Sequence, residues 1–161
     1  MKTIYISDTN IWIDIRNAGL LDEMFRLPFS LCCTDFVFDE LKDLPQAHLL
    51  AMGLVVEGLD EQAVTKLLTL SALHRNSSLA DVSCYYLAQN TGYPLLTGDG
   101  RLRKQAAKDG IEVFGVLWLL DQLVAHTVIT STRAAHALEE MLRRGARLPH
   151  AECQHRMQLW R

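Results

Sequence analysis

Short apolar runs alternate with longer amphipathic stretches along the chain, and this alternation predicts its secondary structure. The short runs are rich in β-branched and aromatic residues, which is typical of buried strands. The longer stretches place apolar residues three or four positions apart, as on one face of a helix. Strands are predicted at residues 3–7, 29–33, 54–57, 95–97 and 111–114. Strands that alternate with helices in this way predict an α/β fold with a mostly parallel sheet.

Helices are predicted between the strands and throughout the C-terminal part of the chain. Asn10 and Thr34 are suited to cap the helices that follow the first two strands. The helix at residues 60–74 is expected to place Val64, Leu67 and Leu68 on one buried face. The predicted helical ranges are 11–16, 20–26, 35–42, 46–52, 60–74, 78–90, 101–109, 116–125, 132–144 and 150–160.

Length and composition are those of one ordinary globular domain. A chain of 161 residues can bury a sizeable hydrophobic core, but it is too short to give each of two domains a core of adequate size. With no repeat or linker, one domain is expected over residues 1–161, with a helical C-terminal extension over about 126–161. The net charge of −3 gives no sign of general affinity for nucleic acid. A polyanion such as nucleic acid would therefore have to bind to a local basic patch or to a bound metal ion.

Neither the cysteines nor the N-terminal segment indicates export. The four cysteines lack the paired spacing of a zinc site and the density of a disulfide scaffold, so they are predicted to be reduced and buried. The N-terminal segment has too few apolar residues for a signal peptide. No stretch approaches the roughly 18 apolar residues of a membrane span. We therefore expect a cytoplasmic protein with no membrane partner.

Four acidic residues lie at the ends of predicted elements, where they could converge. Asp8 directly follows the first strand, and Asp99 comes just after the fourth. Glu40 lies on the helix after the second strand, and Asp81 on the first turn of its own helix. In open parallel sheets, ligands bind at the carboxyl ends of the strands. Mg²⁺ and Mn²⁺ prefer carboxylate oxygens and water, and without a cation such acids would raise one another's pKa values.

Each acid also has a structural explanation that the sequence leaves open. Asp81 lies three residues after Ser78 and could simply belong to a helix cap. Glu40 could be a solvated helix residue, and Asp99 stands between two glycines in a common turn motif. Asp8 is the hardest to explain structurally, because a charge directly after a buried strand indicates a site.

Short motifs around these acids follow one another in a characteristic order. They are Ser7-Asp8-Thr9-Asn10 after a strand, Glu40-Leu41, Asp81 with Leu87-Ala88, and Leu95-Leu96-Thr97-Gly98-Asp99 followed by Leu102 and a basic helix. Over about residues 3–125 this order resembles the PIN domain, a family of metal-dependent ribonucleases that includes the VapC-like toxins of bacterial toxin–antitoxin pairs. The resemblance implies a three-layer α/β/α fold with an acidic pocket at the carboxyl edge of the sheet.

The resemblance also implies a reaction and the acids that carry it out. It implies a metal-dependent endoribonuclease that hydrolyses RNA phosphodiester bonds, with the toxin of a toxin–antitoxin pair as one role. Asp8, Asp81 and Asp99 would bind one or two Mg²⁺ or Mn²⁺ ions. Glu40 would complete the catalytic set by orienting or deprotonating the attacking water.

Other positions either support this site or depart from the family pattern. By position, Asn10 and Thr97 would support the metal ligands through hydrogen bonds. Arg101 stands where many members have a further acid, which leaves a second metal site open. The resemblance further implies a homodimer and an antitoxin protein as partners.

Basic side chains after Asp99 offer a way for an acidic protein to bind RNA. Arg101, Arg103 and Lys104 lie on one predicted helix and could contact phosphates, although a solvated helix face is an equally simple explanation. A second basic cluster that includes Arg147 is interpreted as surface or partner contact. Trp118 lies in an apolar run and is predicted to be in the core.

Two other functions stay open at this point. A phosphatase of the haloacid dehalogenase type would use Asp8 as a nucleophile. Such enzymes usually have a second aspartate at the position that Asn10 occupies here, which counts against this function. A PIN-like module that has lost part of its site would bind RNA or protein without catalysis, as the basic residue Arg101 suggests.

Overall fold

Five parallel strands form the central sheet of the computed structural model, which describes residues 2–74 and 76–161. Their spatial order is β3-β2-β1-β4-β5, and every pairing among them is parallel. The strands are β1 (Ile4–Ser7), β2 (Ser30–Thr34), β3 (Val55–Glu57), β4 (Leu95–Leu96) and β5 (Val113–Phe114). Helices flank this sheet, which confirms the predicted three-layer α/β/α fold.

Two groups of helices cover the sheet. The helices of the described residues are α1 (Thr9–Asn17), α2 (Leu21–Met24), α3 (Asp35–Glu40), α4 (Gln46–Met52), α5 (Glu61–Leu73), α6 (Leu79–Thr91), α7 (Gly100–Lys108), α8 (Val116–Ala125), α9 (Ser131–Arg143) and α10 (His150–Trp160). In one group, α6 packs on β1, β2 and β4 and contacts α3, α5 and α7. In the other, α1 contacts α8 and α9, and α10 packs on α9.

The apolar faces of sheet and helices meet in a common hydrophobic core. Ile6, Leu31 and Leu95, on three neighbouring strands, are at most 2% exposed. Trp12 of α1 and Leu138 of α9 are fully buried in the same cluster. Each such side chain contributes about 1.5–3 kcal/mol when it is buried. In residues 2–74 and 76–161, no helix has the length and hydropathy of a membrane-spanning segment.

Helix caps place polar side chains at the ends of strands. The carboxylate of Asp8 accepts the Ile11 amide at 3.0 Å and caps α1. The prediction of Asn10 as this cap was wrong, because α1 already begins at Thr9 and so includes Asn10. Thr34 caps α3 as predicted. Strand-end side chains are thus held in defined directions by the first turn of the next helix.

Burial within the helices differs from the sequence prediction at three positions. On α5, Leu67 is buried, but Val64 is only partly buried and Leu68 is 58% exposed. The reason is that α5 packs on α6 along a narrow stripe, and adjacent residues on a helix point about 100° apart. Trp118 of α8 is only partly buried, although its apolar neighbours Leu117 and Leu119 lie in the core. It packs at the edge of the core instead.

The cysteines agree with the prediction. All four are free and buried. Burial raises the pKa of Cys32 and of Cys33 to about 12, so both remain thiols at neutral pH.

The order of the strands brings the ends of β1 and β4 together. The chain runs outward from β1 through β2 to β3 and then returns to place β4 on the other side of β1. The amide of Asp8 donates to the Leu96 carbonyl at 3.0 Å, which ties the two strand ends together. Reversal of strand order at this point creates the crevice at which α/β sheets bind ligands. Asp8 and Asp99 flank that crevice.

Candidate active site

Asp8 is a fully buried carboxylate held by three hydrogen bonds. Its Oδ1 accepts the Ile11 amide at 3.0 Å. Its Oδ2 accepts the Thr97 hydroxyl at 2.6 Å and the Gly98 amide at 3.2 Å. Burial raises the pKa of Asp8, the hydrogen bonds lower it, and the nearby charge of Asp99 raises it further. The net effect is an increase, so this acid is fixed in direction but costly to ionise.

Asp99 caps α7 and is connected to Asp8 through one hydroxyl group. Its Oδ1 accepts the amides of Arg101 and Leu102 at 2.9 and 3.2 Å. Its Oδ2 accepts the Ser77 hydroxyl at 2.6 Å. The Thr97 hydroxyl accepts the Asp99 amide at 3.1 Å while it donates to Asp8. Thr97 therefore orients both strand-end acids at once.

Asp81 and Glu40 join these two acids from neighbouring helices. The Ser78 hydroxyl accepts the Asp81 amide at 3.0 Å, which places Asp81 on the first turn of α6. Burial, followed by the charges of Asp8 and Asp99 and a smaller effect of Glu40, raises the pKa of Asp81 to about 7. Glu40 lies at the exposed rim and accepts the Thr9 hydroxyl at 2.6 Å. The four acids predicted from separate motifs thus lie within electrostatic reach of one another.

The other predicted residues are placed differently from the acids. Asn10 is exposed on α1, and within the described part of the chain its side chain makes no hydrogen bond to the four acids. Arg101, Arg103 and Lys104 are all exposed on α7. Of these three, only Arg103 lines the cavity beside the acids.

Asp14 is an acid of this region that the sequence analysis missed. It is partly buried on α1, and burial together with the charge of Asp8 raises its pKa to about 6. A signal was available, because Asn10 and Asp14 are four residues apart and share one helix face once α1 is extended to Thr9. The hydroxyl donor Ser77 was also missed, and Thr9 was noted only as part of the motif after the first strand. Nothing local shows which distant acid a hydroxyl group will contact.

A cavity of about 830 Å³ opens beside Thr97 and Gly98, which hydrogen-bond to Asp8, but none of the four predicted acids lines it. Asn10, Asp14, Thr97 and Gly98 form its end at the sheet edge. The opposite wall is formed by residues 145–149 with Glu152 and Arg156 of α10. The segment between α9 and α10 and the first half of α10 therefore form one wall of a cleft that reaches Asp14, Thr97 and Gly98.

The donor chemistry of the acids fits a hard divalent cation. All four side chains offer carboxylate oxygens, which suit Mg²⁺ or Mn²⁺ better than zinc. Burial and repulsion between the carboxylates raise the pKa values of Asp8 and Asp81, and the positive charge of a bound cation would offset both effects. As arranged in the described ranges, no three His, Cys, Asp or Glu side chains are close enough to enclose a metal ion. Mg²⁺ usually keeps several waters and is held by only one or two carboxylates, and the ligand roles of Asp8, Asp81 and Asp99 stay predictions.

Comparisons with known proteins point to one family. A family model described as PIN domain matches residues 4–161, which includes α9 and α10. The PilT N-terminus domain protein SSO1118 of the archaeon Sulfolobus solfataricus P2 has a TM-score of 0.52 and 11% identity, and the match covers 76% of this chain and 94% of that one. PAE2754 from Pyrobaculum aerophilum has a TM-score of 0.50 and 16% identity, with 78% and 99% covered. At these identities the solved structures show a shared fold alone. Comparison with curated proteins gave no match.

Proposed function

The chain belongs to the PIN domain family, and from that premise we propose that it is a metal-dependent endoribonuclease that hydrolyses RNA phosphodiester bonds. PIN domains are generally nucleases and typically use divalent metal ions. The observation that carries the proposal is the convergence of Asp8, Glu40, Asp81 and Asp99 on one sheet edge from four separate segments. Their repulsion and burial raise the pKa values of Asp8 and Asp81, which a purely structural set of acids would have no reason to maintain.

Each side chain has a defined task in this proposal. Asp8, Asp81 and Asp99 would hold Mg²⁺ or Mn²⁺, which when bound lowers the pKa of water and neutralises phosphate charge. Thr97 keeps Asp8 in a fixed direction through its 2.6 Å hydrogen bond. Glu40 is exposed, and its Oε1 accepts the Thr9 hydroxyl, so its second oxygen remains available to orient water or accept a proton.

The direct test is cleavage of single-stranded and structured RNA in Mg²⁺, Mn²⁺ or EDTA. We expect the parent protein to cut only with metal, and Asp8→Asn and Asp99→Asn to lose about 100-fold or more of that activity. Asp43→Asn is the matched control, because this aspartate is exposed and its side chain makes no hydrogen bond within the described residues. Circular dichroism checks that each variant is folded. Full activity in both site variants would rule the proposal out.

Calorimetry with Mn²⁺ addresses the number of metal ions. The side chain of Arg101 is exposed beside Asp99, where many relatives have a further acid. We propose that one ion suffices here, because that ligand is replaced by a cation. A stoichiometry of two would contradict this part of the proposal and leave the nuclease activity untouched.

We further propose that the protein is a homodimer and the toxin of a toxin–antitoxin pair in the cytoplasm. Toxicity is tested by induced expression in a bacterial host, where the parent should arrest growth and Asp8→Asn should not. Light scattering after size exclusion measures the mass in solution. Equal growth of both strains would remove the toxin role, and a mass of one chain would remove the dimer.

The phosphatase alternative is disfavoured by Asn10. That chemistry requires a second aspartate at this position, and an amide cannot act there as a general acid or base. The non-catalytic alternative would appear in the cleavage assay as RNA binding without any metal-dependent product.

A further inference from the structure

The hydrogen bonds of Asp99, counted over the described residues, leave one acceptor site on its carboxylate. An ionised carboxylate offers about four lone-pair sites, shared equally between its two oxygens. The Oδ1 of Asp99 accepts the amides of Arg101 and Leu102, so the cap of α7 uses both sites of this oxygen. Its Oδ2 accepts the Ser77 hydroxyl at 2.6 Å. A cation bound by this acid would therefore share Oδ2 with Ser77.

Ser77 contacts Asp99 from a segment that is 22 positions away in the sequence. It lies between α5 and α6, and its amide donates to the His74 carbonyl at 3.0 Å. The His74 ring packs against the buried ring of Tyr85 on α6, with the ring centroids 5.4 Å apart. The backbone that carries the Ser77 hydroxyl is therefore held against α6 as well as against Asp99.

The residue after Ser77 fixes a second acid of the predicted set. The Ser78 hydroxyl accepts the Asp81 amide at 3.0 Å and caps α6. Two adjacent serines thus contact two acids that lie on different elements. Burial, and then the charges of Asp8 and Asp99, raise the pKa of Asp81 to about 7, so these acids lie close together. The serine pair connects the backbone of one acid to the side chain of another.

Asp99 does not need Ser77 to keep its place in the fold. Its side chain already caps α7, and its own amide donates to the Thr97 hydroxyl at 3.1 Å. The Ser77 hydroxyl adds the occupation of one lone-pair site on Oδ2. Because hydrogen-bond partners lie near the plane of the carboxylate along its lone pairs, the site that remains has one direction. Hydrogen bonds that orient a metal ligand in this way account for about 10–100-fold in metal affinity.

We propose that Ser77 is a positioning residue for the metal site, because its hydroxyl leaves Asp99 a single direction in which to bind a cation. Ser77 acts through Oδ2 of Asp99 and does not itself bind the ion. This inference rests on the proposed metal-dependent function. It deepens that function by adding to the site a hydroxyl group from the segment between α5 and α6.

Calorimetry with Mn²⁺ tests this role without catalysis. We expect Ser77→Ala to weaken Mn²⁺ binding about tenfold or more, and Ser77→Thr, which keeps the hydroxyl group, to bind within about threefold of the parent. The matched control is Ser30→Ala at the opposite end of the sheet. Ser30 is half-buried like Ser77, and its side chain makes no hydrogen bond within the described residues. Circular dichroism and urea unfolding check that each variant is folded.

Carbon-13 NMR of the metal-free protein measures the contact itself. The carboxyl resonance of Asp99 is identified by its loss in Asp99→Asn. In EDTA at constant pH, Ser77→Ala should shift this resonance, because the hydrogen bond to Oδ2 is removed. Ser77→Thr and Ser30→Ala should leave it at the position of the parent. A resonance that stays unchanged in Ser77→Ala would show that the contact is absent in solution and would overturn the inference.

Kinetics distinguish a residue that positions a metal ligand from one that binds RNA. Ser77→Ala should reduce kcat at low Mn²⁺ concentration, and a higher Mn²⁺ concentration should restore it. The KM for RNA should stay unchanged, because the substrate does not contact Ser77 in this proposal. A raised KM, or a loss of activity that no Mn²⁺ concentration restores, would contradict the positioning role.

The outcomes separate this inference from the nuclease proposal. If the parent binds Mn²⁺ and cuts RNA while Ser77→Ala binds the ion equally or more tightly, the inference is wrong and the nuclease function stands. The same holds if Ser77→Ala lowers only the stability of the fold. If Mn²⁺ binding depends on the Ser77 hydroxyl but no RNA is cut, the inference stands and the nuclease function is wrong. If the parent binds no Mn²⁺, both are wrong.

Discussion

Replacement of Asp81 by asparagine is expected to stabilise the metal-free protein at pH 8. In the folded protein the pKa of Asp81 is raised from 3.8 to about 7 by burial, and then by the charges of Asp8 and Asp99. Ionised Asp81 therefore opposes folding at pH 8, while asparagine has nearly the same shape and no charge. The variant tests whether the acids form one repelling cluster, which is the premise of the metal site.

The sign and size of the effect follow from proton linkage. Because the folded state holds the Asp81 proton more tightly, its stabilising contribution is complete below pH 3.8 and is lost as the pH rises to about 7. The full difference between these pKa values corresponds to about 4 kcal/mol. Solvent screening at the partly open site reduces the expected value to about 2 kcal/mol. Asp8 and Asp14 have raised pKa values too, so Asp81→Asn should reduce the pH dependence without abolishing it.

The assay is urea unfolding in EDTA at pH 5 and pH 8 for the parent, Asp81→Asn and the exposed control Asp43→Asn. The parent and the control should lose about 1 kcal/mol more than Asp81→Asn between the two pH values, because the part of the effect that lies between pH 3.8 and pH 5 is already lost at the lower pH. Addition of Mn²⁺ at pH 8 should stabilise the parent by binding to the folded state, and stabilise Asp81→Asn much less. Equal pH dependence in all three proteins would refute the cluster, and equal stabilisation by Mn²⁺ would refute Asp81 as a ligand.

Three other substitutions are tested by the free energy of unfolding in urea. Thr97→Val removes the donor at 2.6 Å from Asp8 and should cost about 1–3 kcal/mol, whereas Thr97→Ser should cost much less. Equal losses would show that the hydroxyl does not matter. Arg156→Met removes both bonds to Asp121 and should cost about 1 kcal/mol, and its effect should not add to that of Asp121→Asn if the two side chains are coupled. Gly145→Ala forces a side chain onto backbone with a φ of +96° and should cost about 1–2 kcal/mol. An unchanged unfolding midpoint would show that this turn is not strained.

The alternation of strands and helices was readable from the sequence because it depends on local properties. Apolar runs of four or five residues that end in a polar residue define β1 and β2. The helices α4, α8 and α10 have the predicted bounds, and each follows directly on a proline or a glycine. The cap at Thr34 is equally local, since its hydroxyl reaches an amide three residues away. The four acids could be predicted as candidate site residues for the same reason, because each stands at the boundary of a strand or helix.

Only the tertiary structure decided which of these residues meet. The strand order places Asp8 beside Thr97, although 89 positions separate them, and no local pattern contains that distance. Asp14 follows Asp8 on α1, but its burial comes only from packing, and Arg103 rather than Arg101 lines the cleft beside Gly115. Local sequence determines where an element begins and what it carries. Contacts between distant segments determine the electrostatics of a site, because burial and neighbouring charge are properties of the packed molecule.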